Sequence, residues 1–241
     1  MTAAALRALH VPGQPLILPN AWDAGTARLV VEAGFPVVAT SSAAVAESLG
    51  YADHQGAPAA EMFAATARIV RAVDVPVTVD AESGYGLPAA EFAARLAETG
   101  AVGCNLEDTD HAAGGLAPVE QQAEYLAAVR AAAPDLVINA RVDVFVDVED
   151  QEQVLDEAVG RARAYVAAGA DCVYPILLRS AELMRSFVDA MDVVGAPVNA
   201  VPLPGLTIAD LTSAGVARIS LGPGLWRLTQ AALRERLADL R

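Results

Sequence analysis

Three short apolar runs in this chain end in charge. Asp80 and Glu82 follow Val75-Pro76-Val77-Thr78-Val79, Glu107 and Asp108 follow Val102-Gly103-Cys104-Asn105-Leu106, and Arg141 and Asp143 follow Leu136-Val137-Ile138-Asn139-Ala140. Carboxylates gathered at neighbouring strand ends repel one another unless a cation or a shared proton offsets the repulsion, and their oxygens suit a hard divalent metal. An arginine beside them offers a planar, permanently charged fork for an anionic substrate. Charge placed only for solubility would not fall repeatedly at the ends of apolar runs, so these residues read as one site.

The elements that must position them alternate along the chain. Short β-rich runs are expected at 16–19, 37–41, 75–80, 102–107, 136–141, 172–176, 198–201 and 217–221, eight in all, and between them amphipathic Ala-rich segments such as 59–73, 88–99, 118–132, 151–168, 180–190 and 208–214. Gly34, Gly100, Gly169 and Gly215 follow helix ends just before the next strand, where the backbone turns through positive φ. Eight strand and helix pairs with nearly continuous apolar strands favour a closed α/β (β/α)8 TIM barrel over an open sheet, built as a single domain over 1–241. Such a barrel carries its chemistry after the C-terminal ends of its strands, where the charges lie. The segment 39–53 reads as a loop whose Thr40, Ser41, Ser42 and Ser48 hydroxyls and backbone amides can receive an oxyanion.

Composition removes several chemistries. All sixteen basic residues are arginine, and without a lysine Schiff-base aldolases, lysine-linked pyridoxal-phosphate enzymes and Walker-type nucleotide sites are excluded. The loop Asp80-Ala81-Glu82-Ser83-Gly84-Tyr85-Gly86 is not a dinucleotide fingerprint. A formal charge of −14 opposes nucleic acid and anionic membranes as partners. No apolar run reaches membrane-spanning length, and Met1-Thr2-Ala3-Ala4-Ala5-Leu6-Arg7 lacks the pattern of a signal peptide, so a cytoplasmic location is expected. Cys104 and Cys172 lie in apolar strand-like runs and read as small buried hydrophobes.

Several motifs, in order, resemble the isocitrate lyase/phosphoenolpyruvate mutase superfamily over roughly residues 16–227: Leu18-Pro19-Asn20-Ala21-Trp22-Asp23, Ser41 with Ser48-Leu49-Gly50-Tyr51-Ala52-Asp53, Val79-Asp80-Ala81-Glu82-Ser83-Gly84-Tyr85-Gly86, Asn105-Leu106-Glu107-Asp108 and Asn139-Ala140-Arg141-Val142-Asp143. The resemblance implies a Mg2+ site, with Mn2+ able to stand in, that binds a 2-oxo acid or its enolate. It makes Asp80 the direct metal ligand and Asp53, Glu82 and Glu107 ligands through water. Arg141 becomes the carboxylate clamp, Ser41 with the amides of Ser42 and Ala43 the oxyanion pocket, and Asn199 a further substrate-side residue. Glu107 and Asp53 join Arg141 and His111 as the catalytic set. It also implies a homodimer or homotetramer, to which Trp226, Leu228, Ala231, Ala232, Leu233 and Leu237 would lend an apolar surface.

Two departures shape the expected reaction. Glu82 stands where the superfamily's Asp-x-Asp pair has its second aspartate, a change that a ligand acting through water tolerates. Where its lyases carry a catalytic cysteine, the gating loop here reads Asp110-His111-Ala112-Ala113-Gly114-Gly115-Leu116. The loop also lacks the lysine and asparagine of the mutases and phosphonopyruvate hydrolases. The expectation is C–C cleavage in a small 2-oxo dicarboxylate, with oxaloacetate decarboxylation the simplest case and His111 the loop's best proton donor. The alternatives are phosphonomutase or phosphonopyruvate hydrolase chemistry at a P–C bond, and a 2-oxo acid binding protein without turnover. An ordered lid presenting His111 would favour catalysis.

Overall fold

A computed structural model describes residues 2–240. Its strands are β1 (Leu16–Leu18), β2 (Asn20–Ala21), β3 (Val38–Thr40), β4 (Val77–Asp80), β5 (Gly103–Glu107), β6 (Val137–Val142), β7 (Cys172–Pro175), β8 (Asn199–Ala200) and β9 (Arg218–Ser220). Strands β2 through β7 form one parallel sheet in chain order, and β1, β9 and β8 form another. Pro19, which has no N–H to give a ladder, separates β1 from β2, and the two are halves of one barrel strand. Asn20 bridges this break: its Nδ2 donates to the Thr40 carbonyl at 2.6 Å and its Oδ1 accepts from Leu221 N at 2.8 Å. The opposite seam closes through the parallel bridge Val173–Val198, with Val173 N donating to the Pro197 carbonyl at 3.1 Å. The result is the closed eight-stranded parallel barrel that the periodicity predicts.

The helices are α1 (Ala3–Ala8), α2 (Ala24–Glu32), α3 (Ser42–Leu49), α4 (Ala59–Val70), α5 (Ala89–Thr99), α6 (Val119–Ala132), α7 (Leu155–Ala167), α8 (Ala181–Asp192), α9 (Ile208–Ser213) and α10 (Gly224–Ala238). Helix α3 corrects the reading of 39–53 as a loop. Ala43, Ala44 and Ala46 are strong helix formers, and Ser41 caps the helix by accepting from Ala44 N at 3.5 Å. Helix α1 plugs the N-terminal end of the barrel with Leu6, which packs with Leu16, Leu18, Val37, Ala39 and Val137. Gly103 makes room for that plug, since a Cβ there would sit 2.9 Å from Leu6 Cδ2 and 3.0 Å from Thr78 Oγ1. His10, just beyond α1, is buried, and burial lowers its pKa from 6.5 to about 3, so it stays neutral.

Register fixes what faces the mouth. Asp80, Asn105, Asn139 and Cys172 lie level across β4 to β7, and Glu107 and Arg141 pair two residues further along. Below Glu107 and Arg141 the interior is polar where branched apolar side chains are usual: Thr78, Asn105, Asn139, Asn199, Arg218 and Ser220 are all buried. No helix among the described residues is long and apolar enough to cross a membrane.

Helix α10 stands apart. Its first turn is anchored by Trp226, whose ring meets Trp22 edge-on at 5.1 Å and whose Nε1 donates to Glu47 Oε2 at 2.5 Å. None of its residues is buried, and Leu228, Leu233 and Leu237 are 66%, 50% and 53% exposed.

Candidate active site

The acidic residues do gather at the C-terminal mouth, each held by different partners. Asp80, closing β4, accepts from Ser42 N at 3.0 Å and Ser42 Oγ at 2.9 Å on Oδ2, and faces Asn105 Nδ2 at 3.4 Å on Oδ1. Ser42 can reach it because the first turn of α3 presents free amides and a hydroxyl just beyond β3. Glu82 is 3% exposed and its Oε2 accepts the Gln55 amide hydrogen. Burial, reinforced by the charges of Glu107, Asp80 and Asp53, pushes the Glu82 carboxyl from 4.5 up to about 7.

Glu107 closes β5 and ties the site to its lid. His111 Nε2 lies 2.6 Å from Glu107 Oε1, and Arg141 Nη1 lies 2.5 Å from Oε2. The second contact is an ion pair without hydrogen-bond direction, so Oε2 keeps no directed donor. Burial raises the Glu107 pKa, opposed by Arg141 and His111, while the bond to Glu107 raises that of His111. The lid is ordered by its own bonds. Asp110 Oδ1 accepts from Ala112 N at 3.0 Å and Ala113 N at 2.9 Å, and Thr109 and Leu116 form an antiparallel bridge. His111 also faces the His54 ring, with centroids 5.5 Å apart.

Arg141 and Asp143 form a fork-to-fork pair, Nε to Oδ1 at 2.6 Å and Nη2 to Oδ2 at 2.7 Å. Asp143 also accepts from Thr109 Oγ1 at 2.5 Å, so the base of the lid and the arginine share one carboxylate. Asp108 turns away from the mouth. It is fully buried behind β5, where its oxygens accept from Asp143 N at 2.8 Å, Tyr165 Oη at 2.7 Å and Arg161 Nη1 at 3.1 Å.

Backbone strain collects at the same rim. His54, Gln55, Glu82 and Tyr85 have φ of 63°, 59°, 50° and 58° without being glycine, a conformation costing about 1–3 kcal/mol each that persists only where surrounding contacts enforce it. A 430 Å3 cleft opens beside His111, lined by Gln55, Ser83, Leu87, Thr109, Gln122 and Tyr125 among others. A 220 Å3 apolar hollow near Leu96, Pro134 and Leu136 offers no such chemistry.

The structure thus brings Asp80, Glu82, Glu107, Arg141, His111 and the start of α3 with Ser41, Ser42 and Ala43 to one end of the barrel. Asp53 lies half-buried between α3 and α4, and its charge acts on Glu82. Asn199 is fully buried and bonded to Ser220 Oγ at 3.2 Å, a level below the mouth. Sequence reasoning passed over Gln55 and Asn105. Asn105 was legible, because it stands two residues before Glu107 on the same face of β5.

The family described as phosphoenolpyruvate phosphomutase matches residues 6–241. The chain belongs to the isocitrate lyase/phosphoenolpyruvate mutase superfamily. A candidate phosphonomutase from Burkholderia cenocepacia J2315 is 43% identical, covers 98% of this chain and 99% of its own, and superposes with a TM-score of 0.93. An uncharacterized protein of Mycobacterium tuberculosis is 35% identical over 234 residues, 93% of this chain and 86% of its own. Phosphonopyruvate hydrolase, in its complex with oxalate and Mg2+, has a TM-score of 0.88 at 26% identity, covering 100% of this chain and 87% of its own. This superfamily member carries no thiol at its mouth: Cys104 and Cys172 are free and buried inside the barrel wall, and burial pushes both up to about 12.

Among the described residues no three His, Cys, Asp or Glu side chains form a ready-made metal cage. The donor set still fits a hard cation that keeps most of its water. Glu107 Oε2 is buried without a directed donor, and Glu82 is crowded by three other carboxylates. Asp80 with water-mediated Asp53, Glu82 and Glu107 would hold such an ion.

Proposed function

We propose that the protein is a magnesium-dependent enzyme that breaks the bond beside the ketone of a small 2-oxo acid, and that this bond is P–C, as in phosphonopyruvate. The bond type rests on the comparisons, which support phosphonate chemistry better than the oxaloacetate decarboxylation expected from sequence. The observation that supports turnover over binding alone is the ordered lid presenting His111 to Glu107 at 2.6 Å. Decarboxylation of oxaloacetate remains a second reading because the lid lacks the lysine and asparagine of the phosphonate enzymes.

Magnesium, when bound, supplies a Lewis acid for the charge that grows on the ketone oxygen. The protein's own groups do the rest. Arg141, braced by Asp143, offers its guanidinium to the substrate carboxylate, and the amides that open α3 receive oxyanion character. His111, whose pKa its bond to Glu107 raises, delivers the proton that quenches the enolate carbon, while water accepts the phosphoryl group as the P–C bond breaks. The test is a panel of phosphonopyruvate, oxaloacetate and 2-methylisocitrate with magnesium or a chelator, followed by pyruvate, phosphate and carbon dioxide release. Phosphate and pyruvate from phosphonopyruvate, or its conversion to phosphoenolpyruvate, would support the P–C reading. Carbon dioxide from oxaloacetate alone would favour the second, and silence on every substrate would sink the enzyme reading.

Two substitutions probe the roles. Arg141→Lys keeps the charge and loses the fork, so oxalate affinity should weaken by about 1–3 kcal/mol in calorimetry. Equal affinity would remove Arg141 as the clamp. His111→Ala should lower kcat by about 10²- to 10⁴-fold and leave oxalate affinity nearly unchanged, because the donor acts in the chemical step. Wild-type kcat in that variant would return His111 to an ordinary lid residue.

The protein is also proposed to be a homodimer or homotetramer. The exposed Leu228, Leu233 and Leu237 of α10 support this, since a helix that covered its own barrel would bury them. Light scattering at micromolar concentration should give a multiple of the 24.8 kDa chain mass. A lone 24.8 kDa species would defeat the assembly.

A further inference from the structure

Arg218 is the largest of the fully buried side chains, at 1% exposure in the middle of the barrel. It makes no ion pair among the described residues. A guanidinium without a carboxylate at contact distance carries a desolvation cost that hydrophobic packing alone would not require. Among the described residues its Nε and Nη1 have no hydrogen-bond partner, and its one polar contact is Nη2 donating to Asn105 Oδ1 at 3.1 Å. That contact is therefore where its effect must be sought.

Asn105 Oδ1 also accepts from Asn139 Nδ2 at 2.8 Å. Arginine has donors and no acceptor, so Asn105 must turn its oxygen toward Arg218 and its NH2 the other way. The other way leads to Asp80 Oδ1, 3.4 Å from Asn105 Nδ2. Ser42 holds the second oxygen of Asp80 from the opposite side. Asp80 is thus aimed by α3 above and by a chain of one arginine and one amide below.

We propose that Arg218 is a positioning residue which, by fixing the Asn105 amide, aims the Asp80 carboxylate at the barrel mouth. This rests on the reading of Asp80 as the direct magnesium ligand. Simple electrostatics and positioning then predict opposite signs. Arg218→Met removes a positive charge near the site, which by Coulomb attraction alone would tighten cation binding. If Arg218 aims Asp80, magnesium affinity should instead fall, by about 10- to 100-fold as for other partners that orient metal ligands.

Asn105→Asp gives the opposing signs a second time. It supplies Arg218 with a carboxylate and preserves the fold, and its added negative charge would by itself favour magnesium. It can no longer donate to Asp80, so affinity should again fall. The experiment is calorimetric magnesium titration of wild type, Arg218→Met and Asn105→Asp, with crystal structures of both variants free of metal. Weaker binding in both, with Asp80 turned away from its wild-type direction, is the expected result. Equal or tighter binding in either folded variant would overturn the proposal, and so would an unmoved Asp80 in metal-free Arg218→Met or, should that variant not fold, in Asn105→Asp. If wild type binds no magnesium, the metal reading falls on its own, and the direction of Asp80 in the metal-free crystals still decides the role of Arg218.

Discussion

Asp80→Ala is expected to abolish magnesium binding and, with it, turnover. Changing a residue that merely orients a metal ligand costs about 10- to 100-fold in affinity, so losing the direct ligand should cost more than two orders of magnitude. Glu82 and Glu107 cannot replace it, because each is committed to Gln55 or to His111 and Arg141. Folding should not suffer in parallel. Asp80 sits among other carboxylates, and its removal relieves their repulsion while freeing only Ser42 and Asn105. A denaturation midpoint at or above wild type, with no calorimetric heat on adding magnesium, is the expected pair of results. Undiminished magnesium affinity would remove the acidic mouth as a metal site.

Asp108→Ala should do the reverse, damaging the fold first. It leaves the Asp143 amide and the Tyr165 hydroxyl without an acceptor and withdraws the buried carboxylate from Arg161, which keeps the exposed Glu157 at 3.0 Å and the Ala117 carbonyl at 2.9 Å. Breaking a buried ion pair by removing one partner costs about 3–5 kcal/mol. That is a large share of a typical domain's stability. Asp108→Asn retains the shape and one acceptor and should lose less. Urea unfolding of the two variants checks this order, and an Asp108→Ala protein as stable as wild type would show that the network is not structural. Any loss of activity in the folded fraction would be secondary, through Asp143 and so through Arg141.

What the sequence revealed and what it hid have separate physical causes. The eight barrel strands were legible because each is an apolar run bounded by turn residues, and even the two-residue β8 falls within the expected 198–201. Helix α3 was hidden because Ser41, Ser42 and Ser48 favour caps and turns, which masks the helix preference of the alanines between them. At the mouth, Asp80, Glu82, Glu107 and Arg141 could be named from where charge meets the end of a strand, and His111 as the one imidazole of the loop 110–116. Their partners could not. Asp108 looks like its neighbour Glu107 until it is seen to pair with Arg161, 53 residues away, and Asp143 looks like a ligand until it is found on Arg141. A string of residues carries periodicity well and long-range pairing poorly. Arg218 sits in the apolar run Val216-Ala217-Arg218-Ile219-Ser220, a charge that periodicity alone marks as out of place.

Helix α10 alters what stability means for this protein. Past its first turn it is mostly exposed, and an isolated helix of 15 residues is marginal in water. In the proposed oligomer a neighbouring copy would hold its apolar stripe in order, and that support obeys mass action. The melting temperature should climb with protein concentration, and dilution at constant temperature should unwind the last helix before heat disturbs the barrel.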